Sequence, residues 1–312
     1  MVGYVIRRLV LALFTIWAIS IISFAIIQLP PGDYVDAYIA QMAASGSLVS
    51  QQEAINLRAQ YGLDEPIWVQ YGIYLKNLAQ GDLGSSLITG KSIPELLGFY
   101  GRNSLVLGLA ATAIIYAVGL PLGALAAARR NTAVDQAITG VSIAGMGVPN
   151  FWLALLLIYL FASRLHWLPS GGCCAPRQLV LPAVVLAAEG AAVTIRMTRS
   201  SMLEQLGQDY VRTHRAKGLA ESVVVYGRVF RNALNPIISL AGLRLGWLVG
   251  YALIVETIFQ WPGLGYLLVD AILRRDYPVA QFFSLLLVTV VVVANLLADV
   301  AYGIADPRIR HA

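Results

Sequence analysis

From Leu105 to Ala128 the chain carries no charged residue. A helix of that stretch, at ~1.5 Å per residue, reaches across a ~30 Å hydrocarbon core. Runs of this kind recur, and hydrocarbon admits only backbone that satisfies its own hydrogen bonds, so each run predicts a membrane helix. The first runs from Leu9 to Leu29 and the second from Leu105 to Ala128. A third covers about Ala137 to Ser163, a fourth about Leu179 to Ile195, a fifth about Pro236 to Gln260 and a sixth about Phe282 to Tyr302. The expected fold class is therefore an all-α integral membrane protein with six transmembrane helices. Composition agrees: 58% of the 312 residues are hydrophobic and 12% charged, about half the charge of a soluble domain. Gly119-Leu-Pro-Leu-Gly123 lies inside the second run and is tolerable there if neighbouring helices satisfy the freed backbone.

The N-terminal run is too long for a signal-peptide core, and no small-residue cleavage site follows it, only Pro30-Pro31-Gly32-Asp33. It reads as a retained first helix. Charge sets the orientation. Arg7, Arg8, Arg129, Arg130, the cluster Arg212, Arg215, Lys217, Arg228 and Arg231, and the tail Arg308 and Arg310 form the inner set. The segment from Pro30 to Tyr100 is acidic instead, with Asp33, Asp36, Glu53, Asp64, Glu65, Asp82 and Glu95. Both termini are thus expected in the cytoplasm and the segment of about 30–100 outside, with short amphipathic helices over residues 50 to 80 broken at Gly62 and Pro66. No repeat or low-complexity tract divides the chain, so residues 1–312 are expected to form one domain. The net charge of +5 is explained by the inner arginines, and no basic face with interleaved aromatics points to nucleic acid. Cys173 and Cys174 are the only cysteines. They read as two small residues of an outer loop or as a vicinal disulfide in an oxidising compartment, and no metal-binding arrangement surrounds them.

The one sizeable inner loop, about 202–235, is polar and basic. Apolar Met202, Leu203, Leu206, Tyr210 and Val211 predict a helix from Met202 to Lys217, ended by Gly218 in a left-handed turn. A second helix is expected from Glu221 to Leu234, stopped before Pro236. Such a helix-turn-helix is either a rigid block that another protein can push or a basic amphipathic element resting on anionic lipid.

These residues carry a resemblance. Gly207-Gln-Asp-Tyr-Val-Arg-Thr-x-Arg-Ala-Lys-Gly218 followed by Arg231-Asn-Ala-Leu-x-Pro236 resembles the cytoplasmic loop of the dipeptide/oligopeptide/nickel branch of ABC-importer permeases, in particular the partner with the longer outer segment. Agreement extends to Tyr4 with Arg7-Arg8, Pro31-Gly-Asp33, Gly81-Asp-Leu-Gly-x-Ser86, Val148-Pro-x-Phe-Trp-Leu153 and Val255-Glu-Thr-Ile-Phe-x-Trp-Pro-Gly-Leu-Gly265, in the expected order along the chain. The resemblance implies a permease of the bacterial cytoplasmic membrane that forms a solute path with a second homologous permease. It also implies two ATP-binding subunits beneath, which bind ATP and Mg, and an extracytoplasmic solute-binding protein above; this chain itself would hold no cofactor. On this reading Asp209, Tyr210, Arg212, Arg215, Ala216, Lys217 and Gly218 form the block that couples to the ATPase, braced by Arg231, Asn232 and Pro236. Where the wider superfamily begins the motif with Glu-Ala-Ala, this chain has Arg212-Thr213-His214, as is usual in the peptide branch. Oligopeptides are the expected cargo, with oligosaccharides, opines and nickel complexes as alternatives.

Two ionisable residues fall deep inside expected spans, where charge is expensive: Glu189 in the fourth and Arg244 in the fifth. They either pair with each other or line the solute path, and Arg244 can also snorkel inward. Glu256, beside the Trp261-Pro-Gly turn, reads as a gate or binding-protein contact or as a plain interfacial carboxylate. No Gly-x4-Gly-Lys-Ser/Thr, Gly-x-Ser-x-Gly or His-Glu-x2-His motif occurs, so no enzymatic activity is expected of the chain. The alternative is a self-sufficient ion-coupled carrier, which has no need of an ATPase socket.

Overall fold

The computed structural model describes residues 2–28, 34–44, 46, 49–86 and 88–305, and the regular structure among these is helix, apart from one isolated bridge, Ser85 to Ser92. In order the helices are α1 (Val2–Gln28), α2 (Tyr34–Ala44), α3 (Gln51–Tyr61), α4 (Ile67–Gln80), α5 (Ile93–Ala128), α6 (Ala133–Gly147) and α7 (Asn150–Leu157). There follow α8 (Pro176–Leu206), α9 (Asp209–Ala216), α10 (Phe230–Ile258), α11 (Leu264–Leu273) and α12 (Tyr277–Ala305). Wider π-helical turns, Ile158–Arg164 and Val223–Val229, extend α7 and lead into α10.

Among the described residues four helices are long and apolar enough to cross a membrane: Ile6–Ile26 of α1, α5, α8 and Tyr277–Leu297 of α12. α6 with the α7 segment makes a fifth if counted as one span. The expected third span falls on that pair and is not one continuous helix. It bends by 107°, because Val148, preceding Pro149, is extended at φ −88° and ψ 119°, as a residue before proline must be. The expected fifth span falls in α10, whose side chains from 239 to 249 lie outside the described residues. α1 leaves Leu13, Phe14, Trp17 and Ile26 more than half exposed, an apolar surface suited to lipid.

The chain divides into two compact units. The first holds, of the described residues, 103–262 and 294–305, with α8 running through its core. Val185, Leu186 and Ala187 of α8 are buried with Leu107, Ala111 and Ile115 of α5, Ala154 of α7 and Phe259 and Trp261 after α10. The motif Gly119-x3-Gly123 sets how near α5 comes to α8. A Cβ added to Gly119 would lie 2.7 Å from Thr194 Cβ, and one added to Gly123 would lie 2.7 Å from the Ile195 carbonyl oxygen. α5 runs unbroken through Pro121, so the glycines serve close helix packing of the small-x3-small kind. The loop after Arg164 docks on the end of α10: the Gly172 amide donates to the Phe259 carbonyl at 3.0 Å. Cys173 and Cys174 stand in that loop as a vicinal pair with their sulfurs together.

The second unit holds residues 2–102 and 263–293. Its outer helices follow local sequence signals. The Ser50 hydroxyl caps α3 by accepting the Glu53 amide at 3.1 Å, and Gly62 ends α3 at φ +64°. The break expected at Gly62 and Pro66 is therefore present. Gly81-Asp-Leu-Gly-x-Ser86 is a folded loop: Asp82 accepts the Gly84 amide, and the Ser86 hydroxyl donates to the buried carboxylate of Asp276 at 2.5 Å.

Substituting Gly123→Val should force α5 off α8 and cost about 1–3 kcal/mol. Thermal unfolding in detergent, followed at equal loading, should show a lowered midpoint, with Gly108→Val, which meets open space, as the control.

Candidate coupling site

α8 does not stop where its apolar stretch does. Arg196 to Leu206 are mostly good helix formers, so the helix continues to Leu206 and breaks only at Gly207 and Gln208. This corrects the expected helix from Met202 to Lys217: Met202, Leu203 and Leu206 are the last turns of α8, and the separate helix is α9, eight residues long. Gly218 follows at φ +74°, with its amide donating to the Arg215 carbonyl at 2.9 Å. The left-handed stop expected there is what the structure has.

The second expected helix is also corrected. The chain turns through the π-helical Val223–Val229 directly into α10, and Pro236 sits inside that helix rather than ending it. Pro236 is exposed, and a membrane helix tolerates such a proline when the turns before it adjust.

α9 is held by its underside. Val211 is fully buried in a small apolar core made of Met202 from α8, Ala124 and Ala127 from α5, and Val224, Val225, Val229 and Ala233 from the π-turn and α10. Tyr210 packs at its edge and its hydroxyl lies 3.0 Å from Gln205 Oε1. The other face is polar and open. Asp209, Arg212, Arg215, Ala216, Lys217 and Gly218 are exposed, as are Arg231, Asn232 and Pro236 at the start of α10. Arg212 reaches Asp209 only at 3.8 Å, an exposed pair of little energetic weight. Arg215 grips Glu221 with two hydrogen bonds, Nε to Oε2 at 3.0 Å and Nη2 to Oε1 at 2.5 Å, closing the Lys217–Ala220 turn into a loop. The Arg215 guanidinium holds the Glu221 carboxyl below its ordinary value of 4.5.

Two anchors that sequence reading missed stiffen the base of this block. Asp135, at the start of α6, is buried and accepts Arg199 of α8 at 2.6 and 2.8 Å, the Asn131 amide at 2.9 Å and the Thr139 hydroxyl at 3.3 Å. The Ser201 hydroxyl donates to the Ala233 carbonyl at 3.0 Å, tying α8 to α10. Neither leaves a local signal, since the partners are 64 and 32 residues apart.

The remaining sequence-predicted residues lie elsewhere. Glu256 is not an interfacial carboxylate. It is fully buried and accepts the Ser104 hydroxyl at 2.6 Å. Trp261 is buried too, its indole N–H donating to the Asn103 carbonyl at 3.1 Å. These bonds fasten the outer end of α10 to α5. Glu189 is half-buried in α8, while the side chain of Arg244, on which a Glu189–Arg244 pairing turns, lies outside the described residues. No cluster suited to a metal ion occurs among the described residues.

A basic helical block seated on a membrane bundle, and the sequence around it, can be compared with known proteins. Residues 119–311 match the model of the binding-protein-dependent transport system inner membrane component family. The chain belongs to that family. Residues 1–106 match the corresponding N-terminal membrane-component model. The permease is 40% identical over 340 residues to the di/tripeptide transport system permease protein of Pseudomonas aeruginosa, covering 100% of this chain and 99% of that one. It is 38% identical over 322 residues to the oligopeptide transport system permease protein of Bacillus subtilis, each chain covered in full. It is also 38% identical over 344 residues to the dipeptide transport system permease protein of Escherichia coli K12, covering 100% and 99%. The permease is thus a multi-pass inner-membrane transport component, and the ion-coupled carrier finds no support in these relationships.

Because Glu221 is depressed by its partner, the Arg215–Glu221 link should persist from neutral pH down to about 4.5 and be lost below it, as the carboxylate protonates. A spin label at Leu219→Cys should keep its mobility through that range and become mobile below it; Glu221→Gln should be mobile at neutral pH already.

Proposed function

We propose that this permease imports short peptides as one half of an ATP-driven transporter, working with a second homologous permease, two ATP-binding subunits that carry ATP and Mg, and an extracytoplasmic solute-binding protein. The observation that carries the reading is the construction of α9: one face buried in a dedicated apolar core, the other bare and charged. A helix meant only to rest on lipid presents its apolar side to the membrane; here that side is already used inside the protein. The names of the relatives, all peptide permeases, supply the cargo class.

In this reading the whole chain is a single permease domain with six spans, α10 being the span beyond the five counted above, and with both termini in the cytoplasm. Asp209 to Gly218 is the block an ATPase groove receives, with Arg212, Arg215 and Lys217 facing the partner and Arg231, Asn232 and Pro236 bracing it. Closure of the ATPase pair on ATP pulls on α9. Because Val211 is locked to Met202, the pull passes into α8 without slack, and α8 carries it into the membrane. Glu189 is placed on that helix as a pathway residue, Arg244 as a second candidate for the path. Glu256 serves the outer closure by holding α10 to α5 rather than by touching cargo.

The test is purification of the tagged chain from its native membrane under mild detergent. A second permease and one or two ATP-binding subunits should co-purify, and recovery of the chain alone, even after cross-linking, would overturn the reading. Val211→Asp, which places an unpaired charge in the small core at a cost of about 3 kcal/mol or more, should release the ATPase subunits. Arg212→Glu combined with Lys217→Glu should weaken their binding while leaving the chain's own abundance unchanged.

A further inference from the structure

α8 is the most thoroughly buried of the four candidate spans, yet a polar stripe of it is left partly uncovered. Glu189, Val193, Arg196 and Ser200 follow at spacings of four, three and four, which puts them on one face of the helix. Arg196 and Ser200 are exposed, and Glu189 and Val193 half-buried, while Ala191, Ala192, Thr194, Ile195 and Thr198 around them are buried. A shallow concavity between α6 and α8 opens at Val193, Arg196 and Ser200.

Among the described residues the two charges on this stripe have no ion pair. Arg196 has there a single hydrogen-bond partner, the sulfur of Met146 at 3.4 Å, a weak acceptor. Glu189 has no ion pair or hydrogen bond beyond the helix backbone among the described residues. Arg199, one turn further on, shows the contrast: its guanidinium is occupied by Asp135 through two bonds. Measured from the middle of the apolar stretch of α8, near Ala187, Glu189 lies ~3 Å and Arg196 ~13.5 Å along the axis, against a half-thickness of ~15 Å. An ionisable group at the depth of Glu189 is held away from hydrocarbon and faces a polar path or partner, while Arg196 stands at the edge of the hydrocarbon.

We propose that this stripe is the cargo-recognition face of the permease, with Glu189 receiving the ammonium terminus and Arg196 the carboxylate terminus of a short zwitterionic peptide. The assignment rests on the peptide-import reading above and adds a length rule to it. Seven residues of helix separate the two charges by ~10.5 Å, and an extended chain covers ~3.5 Å per residue, so a tripeptide spans the pair. Val193, midway, offers an apolar contact to the central residue. The planar guanidinium suits the carboxylate through two parallel bonds. Among the described residues no acidic or basic side chain neutralises either charge, which leaves both available to cargo.

The experiment uses the complete transporter, with its partner subunits and binding protein, reconstituted in liposomes. Uptake is measured with trialanine, trialanine amide and N-acetyl-trialanine, each loaded to saturation on the binding protein. Arg196→Gln should lower trialanine uptake about tenfold and erase the preference for the free acid over the amide, leaving the N-acetyl ratio as in the parent. Glu189→Gln should do the reverse, erasing the preference for the free amine. Subunit stoichiometry should not change. Parental rates and ratios in both variants would overturn the assignment. So would loss of the second permease from either variant, which would make the stripe a subunit contact, or a trialanine rate that depends on anionic lipid only when Arg196 is present, which would make it a lipid site. A parental transporter that imports none of the three peptides overturns the peptide reading itself, a result the variants cannot mimic.

Discussion

The contact on which the rest depends is the burial of Val211 against Met202 and the valines of the Val223–Val229 turn. An eight-residue helix has too few internal hydrogen bonds to persist alone in water, so α9 exists because its underside is inside the protein. The same contact makes the inner ends of α5, α8 and α10 one body. Everything that gives the site its character, the bare arginines and the glycine stop, is surface laid over that core. Asp135 with Arg199 and Ser201 with Ala233 lock the bundle beside it, within one turn of Met202 on α8.

α8 links this block to the membrane interior. It passes without a break from the outer loop to Leu206, and α5 lies against it closely enough that two glycines are needed at the crossing. A helix so tightly packed along one side transmits displacement rather than absorbing it. The stripe it leaves open, with Glu189 and Arg196, is then moved directly by what happens at α9. At the outer end of this unit, buried Glu256 and Trp261 perform the matching task for α10, joining it to Ser104 and Asn103 of α5.

Much of this was legible in the sequence where the signal is local. Gly218 marked the end of the coupling helix, Gly62 and Pro66 the break between α3 and α4, and the apolar runs the long helices. The misreadings share a cause: hydropathy marks where lipid is, not where a helix ends. α8 outlasts its apolar stretch because Arg, Met, Leu and Glu continue a helix as readily as alanine does. Pro236 was read as a stop although a helix supported by neighbours can carry it, and the third span was drawn through Pro149 although the residue before it had to leave helical geometry. Glu256 was left between a gate and an interfacial carboxylate by type and position, while its partner Ser104, like the partner Asn103 of Trp261, lies some 150 residues earlier in the chain. The Asp135–Arg199 pair is invisible for the same reason.

The central claim is that α9 and the inner bundle move as one rigid body. In a background with both cysteines replaced, spin labels at Arg130→Cys, in the turn after α5, and Thr213→Cys, on the open face of α9, report its internal distance by pulsed electron resonance. Rigid coupling predicts one narrow distance distribution, unchanged between the nucleotide-free transporter and the state trapped with ATP and vanadate, while the distance from Thr213→Cys to the equivalent site of the second permease shortens. A separation between residues 130 and 213 that shifts or broadens on ATP binding would show α9 hinging on its core and would contradict the account.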